Sequence, residues 1–187
     1  MSNVNPVKEV PILETGRLLL RELTVLDTDD IFEYASQPET IIYLPWESHK
    51  SQDDTLSFLK MVSEKFSTSD NINWGIEFKS KRKIIGSIEI RKWNDINRCG
   101  DIGYALSPAY WNKGIMSEAL RRVIKFAFEE LNLNRVEAHC DENNTGSYRV
   151  MEKAGMKYEG TLRQKVFVKG QFVSMKLYSL LQSEYNS

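Results

Sequence analysis

Apolar residues in this chain recur at two periods, and each change of period marks an element. The clearest helical pattern follows "YWNKG": Met116, Ala119, Leu120, Val123, Ala127, Phe128 and Leu131 share one face, and Asn132 and Asn134 close the run. Such a stripe predicts a helix with one buried side. Leu56, Leu59, Met61, Val62 and Phe66 predict another helix over Asp53 to Phe66. "TVLDTDDIFEYASQP" predicts a third, with Asp27 or Thr28 as its N-cap and Pro38 beyond its end. A short fourth is expected from Ser147 to Ala154, stopped by Gly155.

Strand-like runs occupy Arg17 to Leu23, Asn73 to Phe78, Lys83 to Trp93, Cys99 to Leu106 and Arg135 to Cys140, and two more flank a "VKGQ" turn near the end. The order is strand, two helices, three strands, helix, strand, helix, two strands. Grouped strands with interspersed helices imply an α+β domain with a mixed, mostly antiparallel sheet of about seven strands and four helices. No repeat or linker interrupts it, so a single domain over residues 1–187 is expected, with residues 1–12 as an N-terminal extension.

Charge narrows the function classes. The 25 Lys and Arg balance 26 Asp and Glu for a net charge of −1, which leaves no basic footprint for nucleic acid. No run approaches the roughly 20 apolar residues of a membrane span, and the polar "MSNVNPVKEVPILETG" does not read as a signal peptide. Cys99 and Cys140 lie far apart, without metal-ligand or disulfide spacing, and read as reduced thiols of a cytoplasmic protein. The histidines are His49 and His139, outside any Cys/His cluster, so no metal is expected.

The central strand "DIGYALSP" ends at Pro108, and the turn "AYWNKG" opens the long helix. Pro108 stops the ladder for want of an N–H. The turn then presents consecutive amides, from Asn112, Lys113, Gly114, Ile115, Met116 and Ser117, at the positive end of a helix dipole. Such an end suits an anion. It is neither a Walker loop nor a G-x-G-x-x-G turn, and alone it is an ordinary helix start.

Its surroundings change that reading. "IGYALSPAYWNKGIMSEAL", followed by "LNLNRVEAHCDENNTGSYRVMEKAGMKYEG", resembles the GNAT acetyltransferase superfamily, in particular the branch typified by the RimJ/RimL ribosomal-protein N-terminal acetyltransferases. The resemblance spans essentially the whole chain, from "LETGRLLLREL" to "LYSLL". It implies a GNAT fold and acetyl-CoA as cosubstrate, its pyrophosphate on the helix-start amides. Lys113 and Gly114 match the motif directly. Asn112 stands where glycine is more usual and Met116 where a small residue is. Both changes are tolerable if neither position needs φ > 0, and Met116 is expected to crowd the diphosphate.

The resemblance further implies a sheet splayed at a bulge near Leu106, where pantetheine pairs with the backbone around Ala105 and Leu106. Asn144 and Ser147 match the branch's N-x-x-S beside the pantetheine, and Arg149 and Lys153 lie near the CoA phosphates by analogy. The amine approaches from the opposite face, past Tyr43 and Trp46. A homodimer is admitted by analogy with relatives. The implied acceptor is a protein N-terminal amine. A polyamine, amino acid or antibiotic amine is the alternative, and an idle CoA-binding module a further one.

Acetyl transfer needs a neutral amine, a polarised thioester carbonyl and a stabilised leaving thiolate. Ser147 suits the departing sulfur, or it simply caps its helix. The superfamily's more familiar tyrosine acid is replaced by Met151. Three residues compete as base: Asp101 before the "IGY", Glu89 in "SIEIR", and His139, whose ordinary pKa suits neutral pH. Val166 and Ser174 stand where the branch can carry acidic residues, so a route resting on positioning alone also remains open.

Overall fold

In a computed structural model, residues 9–68, 71–94 and 96–185 are described. A two-residue strand, β1 (Leu13–Glu14), precedes β2 (Leu18–Arg21), and then come α1 (Thr28–Ala35), α2 (Pro38–Ile41) and α3 (Gln52–Thr68). The strands β3 (Asn71–Phe78), β4 (Lys83–Asn94) and β5 (Cys99–Leu106) lead into α4 (Ile115–Glu129). The chain finishes with β6 (Arg135–Asp141), α5 (Thr145–Lys153), β7 (Lys157–Val168), β8 (Gln171–Leu181) and α6 (Gln182–Tyr185). The α+β architecture is as the pattern implies. Tiny β1 and the single-turn α2 and α6, too short to carry a period, bring the total to eight strands and six α-helices. Pro38 lies beyond the end of α1, as expected, and also opens α2, at a first-turn position where its missing N–H is harmless.

The eight strands form one sheet in the order β1-β2-β3-β4-β5-β6-β8-β7. All neighbours are antiparallel except β5 and β6, which run parallel. Alternation along the strands sorts two faces. Ile72, Trp74, Ile88, Ile90, Ile102, Val136 and Ala138 point to the face covered by α4, and join Ala119, Leu120, Val123 and Phe126 in the larger core. Trp74 meets Phe126 edge-on at 5.5 Å. The other face carries a smaller core of Leu23, Ile31, Tyr34, Ala35, Leu59 and Ile84 beneath α1 and α3.

Of the expected N-terminal extension, residues 1–8 lie outside the described residues. Val10 packs against the larger core, and the Pro11 carbonyl accepts a 2.7 Å bond from the Trp74 indole N–H.

The sheet parts between β5 and β6. Their pairing covers only Cys99–Ile102 against Arg135–Ala138, so β5 from Gly103 and β6 from His139 diverge. The bulge expected near Leu106 lies one strand over, between β3 and β4, where Gly75↔Ser87 steps to Glu77↔Ile84 beside Gly86, the partner of Leu106. β4 and β5 hold register without a shift from Arg91↔Asp101 to Gly86↔Leu106, and the irregularity lies at the far end, between Arg91 and Asn94. The gap opens where the parallel ladder stops. Close contact also fixes β4 to β5: a β-carbon on Gly86 would lie 2.4 Å from the Ala105 carbonyl oxygen.

Candidate active site

The Ser107 N–H donates to the Ile85 carbonyl at 2.8 Å. Along an antiparallel ladder such groups alternate in direction, so Ala105 also faces β4 while Tyr104 and Leu106 turn their backbone groups to the gap. Ala105 therefore lines the gap without offering it the hydrogen bonds expected of it. The Leu106 carbonyl is taken by the Trp111 indole N–H at 2.8 Å.

The turn after β5 brings α4 to the same gap. The ladder of α4 begins with the Glu118 N–H bonding the Gly114 carbonyl at 3.1 Å, so the amides before it have no helical acceptor. The N-cap is Gly114, at φ 70°, and no side chain caps the helix. Asn112 also adopts positive φ, 58°. The position does need the left-handed region, and asparagine is among the few non-glycine residues that visit it readily. Met116 is buried with Ile115 and Ser117, and all three line the cavity, while residues 111–114 are exposed. Lys113 folds back, donating to the Ala109 carbonyl at 2.7 Å and lying over the Tyr110 ring. Arg17, just before β2, anchors the turn by donating to the Lys113 carbonyl and to Glu118.

Beyond β6, α5 starts two residues earlier than the pattern suggests. Asn144 is its N-cap and accepts the Ser147 N–H at 3.0 Å. Ser147 is thus inside the first turn, and its hydroxyl is not used as a cap. That hydroxyl lies 2.9 Å from the Tyr104 hydroxyl. Burial pushes the Tyr104 phenol well above its ordinary range, so it keeps its proton. The neighbouring Cys140 thiol is also raised by burial, to about 11, and carries little thiolate near neutrality. Lys153 and Arg149, both exposed, line the opening on this side, where Arg149 pairs with Glu152 at 2.8 Å.

On the opposite face the three competing bases meet in one network. Asp101 accepts from Arg91 Nε at 2.8 Å and lies 3.1 Å from His139 Nδ1. Arg91 also reaches Glu89 at 3.1 Å. Although burial alone would raise it, the bonds from His139 and Arg91 hold the Asp101 carboxyl below its ordinary range. Asp101 is therefore a settled anion and a weak base. A single cavity of about 1510 Å³ crosses the sheet at the gap, touching Asn112, Gly114, Asn144, Ser147 and Lys153 on one side and Glu89, Arg91 and His139 on the other.

Sequence reasoning missed Arg91, which ties Glu89 to Asp101, and Tyr104, which sits in the quoted "IGY" and holds Ser147. Arg91 had a usable signal, since it alternates with Ile88 and Ile90 on the face that carries Glu89.

Residues 17–157 match the acetyltransferase (GNAT) domain family. This chain belongs to the GNAT family. The uncharacterised N-acetyltransferase YoaA of Bacillus subtilis is 32% identical over 172 residues, covering 92% of this chain and 97% of that protein. A ribosomal-protein-S5-alanine acetyltransferase from Vibrio fischeri shares the fold at a TM-score of 0.80 with 22% identity, covering 94% of this chain and 98% of that one. A spermidine N(1)-acetyltransferase of Vibrio cholerae is 26% identical over 106 residues, 57% of this chain and 61% of that protein. As a GNAT N-acetyltransferase the enzyme takes acetyl-CoA as cosubstrate. The uncapped amides of the α4 start and the open edge of β5 fit a diphosphate and a peptide-like pantetheine arm. Among the described residues no cluster of three or more His, Cys, Asp or Glu could hold a metal, and no helix is long and apolar enough to cross a membrane.

Proposed function

We propose that this GNAT enzyme acetylates the N-terminal amine of a protein or peptide in the cytoplasm. The observation that carries the reading is the single cavity through the sheet, lined by the α4 start, Ser147 and His139 together. Acetyl-CoA, when bound, supplies an activated thioester. Backbone N–H groups from Asn112 to Ser117 hold its diphosphate, helped by Lys153, and the gap-facing groups of Tyr104 and Leu106 align its arm beside Asn144. Arg91 keeps Asp101 ionised, and Asp101 accepts the His139 Nδ1–H, leaving Nε2 as the proton acceptor. His139 takes the proton that the amine loses as its nitrogen bonds the acetyl carbon. The carbon–sulfur bond breaks as the Ser147 hydroxyl donates to the sulfur, with Tyr104, which donates to the Ser147 carbonyl, holding the serine in place. Glu89 serves this network by pairing with Arg91.

The acceptor side argues for a peptide over a polyamine. Its charged lining is balanced, Glu39, Glu89 and Asp141 against Lys65, Arg91 and Lys169, with no acidic excess to draw a polycation. The partial match to a spermidine acetyltransferase keeps the polyamine as the second reading.

Thiol release from acetyl-CoA, with products weighed by mass, tests the reading against a panel of peptides and small amines. His139→Gln should lower kcat/KM at neutral pH by about 100-fold, within the usual range for a general base, with activity recovering as pH rises and free amine accumulates. An unchanged rate would remove His139 from the mechanism. Absence of any acetylated peptide would remove the function.

A further inference from the structure

Large apolar side chains left open to solvent along a concave wall mark a place for an apolar ligand. Tyr43, Met61 and Val166 are 43%, 41% and 37% exposed, and all three line the cavity. Each is accessible where a ligand would lie.

Register carries this wall outward from the reaction centre. Residues paired across an antiparallel ladder share a face, as do alternate residues of one strand. Asp141, two residues beyond His139 in β6, pairs with Met175 of β8. Val173 pairs with Val166 of β7, and Val168 follows two residues on. The face that carries His139 therefore continues as Met175, Val173, Val166 and Val168, all on the cavity. These four side chains are hydrocarbon or thioether. Across from them stand Tyr43 and Trp46, after α2, with Phe58 and Met61 of α3. The His49 ring lies 5.5 Å from that of Trp46 and 6.0 Å from that of Phe58. Burial lowers the pKa of this imidazole, so it adds no charge at neutral pH. The charged residues on these elements that line the cavity, Glu39, Lys65 and Lys169, are exposed. At the far end the Lys169 ammonium donates to the Ile41 carbonyl at 2.6 Å, tying the hairpin tip to the end of α2.

Resting on the acetylation reading above, we propose that this groove is an acceptor subsite for a large apolar side chain carried next to the amine. The preferred acceptor is then a peptide whose first residue is long and aliphatic, or aromatic. A polyamine would have to strip the water from a second ammonium to lie against the same hydrocarbon wall.

The test is steady-state kinetics on one tetrapeptide with alanine, norvaline or norleucine in first place, with butylamine, hexylamine and spermidine alongside. A buried methylene is worth about 0.8 kcal/mol, or about fourfold. From alanine to norleucine kcat/KM should therefore climb about 60-fold over three methylenes. Val166→Asp puts a carboxylate on the open wall and should bring that ratio close to one, whereas Val166→Leu should keep it. CoA affinity measured on each variant shows that it is folded. A flat or falling series in the wild type overturns the proposal, as does a ratio unchanged in Val166→Asp or a wild-type preference for spermidine. Rates that climb from butylamine to hexylamine, with no transfer to any peptide, would sink the peptide reading and leave the groove standing. Peptide transfer blind to the first side chain would do the reverse.

Discussion

Ser147 owes its availability to a neighbour. Because Asn144 takes the capping role at the start of α5, the serine hydroxyl is left to bond Tyr104 across the gap. The buried phenol keeps its proton and donates it to the Ser147 carbonyl at 3.1 Å while lying against the serine hydroxyl, so it fixes the first turn of α5 and the place of that hydroxyl. Removing that hydroxyl should lower kcat about tenfold, the worth of one hydrogen bond made in the transition state. Tyr104→Phe should cost less, since it acts through the serine. The two losses should not add: Tyr104→Phe combined with Ser147→Ala should be no slower than Ser147→Ala alone. Single-turnover rates on the three variants at saturating acetyl-CoA check this, and additive losses would give Tyr104 a separate role.

At the scale of elements, the start of α4 is the most exacting piece. Two successive departures into the left-handed region, at Asn112 and Gly114, aim its amides at the gap. A β-branched residue at Gly114 would meet little crowding, since Arg17 Nη2 at 3.8 Å is the nearest atom to an added β-carbon, yet it would oppose φ of 70°. Gly114→Val should therefore destabilise by about 1–2 kcal/mol through backbone strain. It should also raise KM for acetyl-CoA several-fold while the acceptor KM holds. Chemical unfolding and initial rates measure the two effects separately. The helix itself was legible because Met116 to Leu131 keep a strict period and Pro108 stops the strand before it. The parting of β5 from β6 was legible only through the family resemblance, because it depends on where a non-local parallel ladder ends, and no local pattern encodes that. The base candidates were visible one at a time. Their union through Arg91 was hidden, since a charged residue alternating with isoleucines looks the same whether it faces solvent or a carboxylate. Asn144 and Ser147 are both good caps by composition, and only the three-dimensional turn decides between them.

For the molecule as a whole, the short β5–β6 ladder means that two halves of the sheet are joined by few strand pairs and by α4 packing across them. Acetyl-CoA held as proposed above would touch both halves, since the α4 start and Ser147 line the same cavity. It should act as a clamp. At a hundred times its Kd, a ligand specific to the native state adds about 2.7 kcal/mol, which for a chain of this size raises Tm by roughly 5–10 °C. Thermal melts against CoA concentration check the rise, and a flat profile would deny that CoA binds the native chain. The same gap divides the work between two kinds of chemistry. In the proposed arrangement the donor is gripped mainly by main-chain amides, which almost any sequence of suitable conformation provides, whereas the opposite wall is lined by side chains such as Glu89, Arg91 and His139. Heredity and the laboratory thus meet an uneven target. Substitutions confined to that wall could retrain the enzyme toward new amines, with its hold on acetyl-CoA inherited intact.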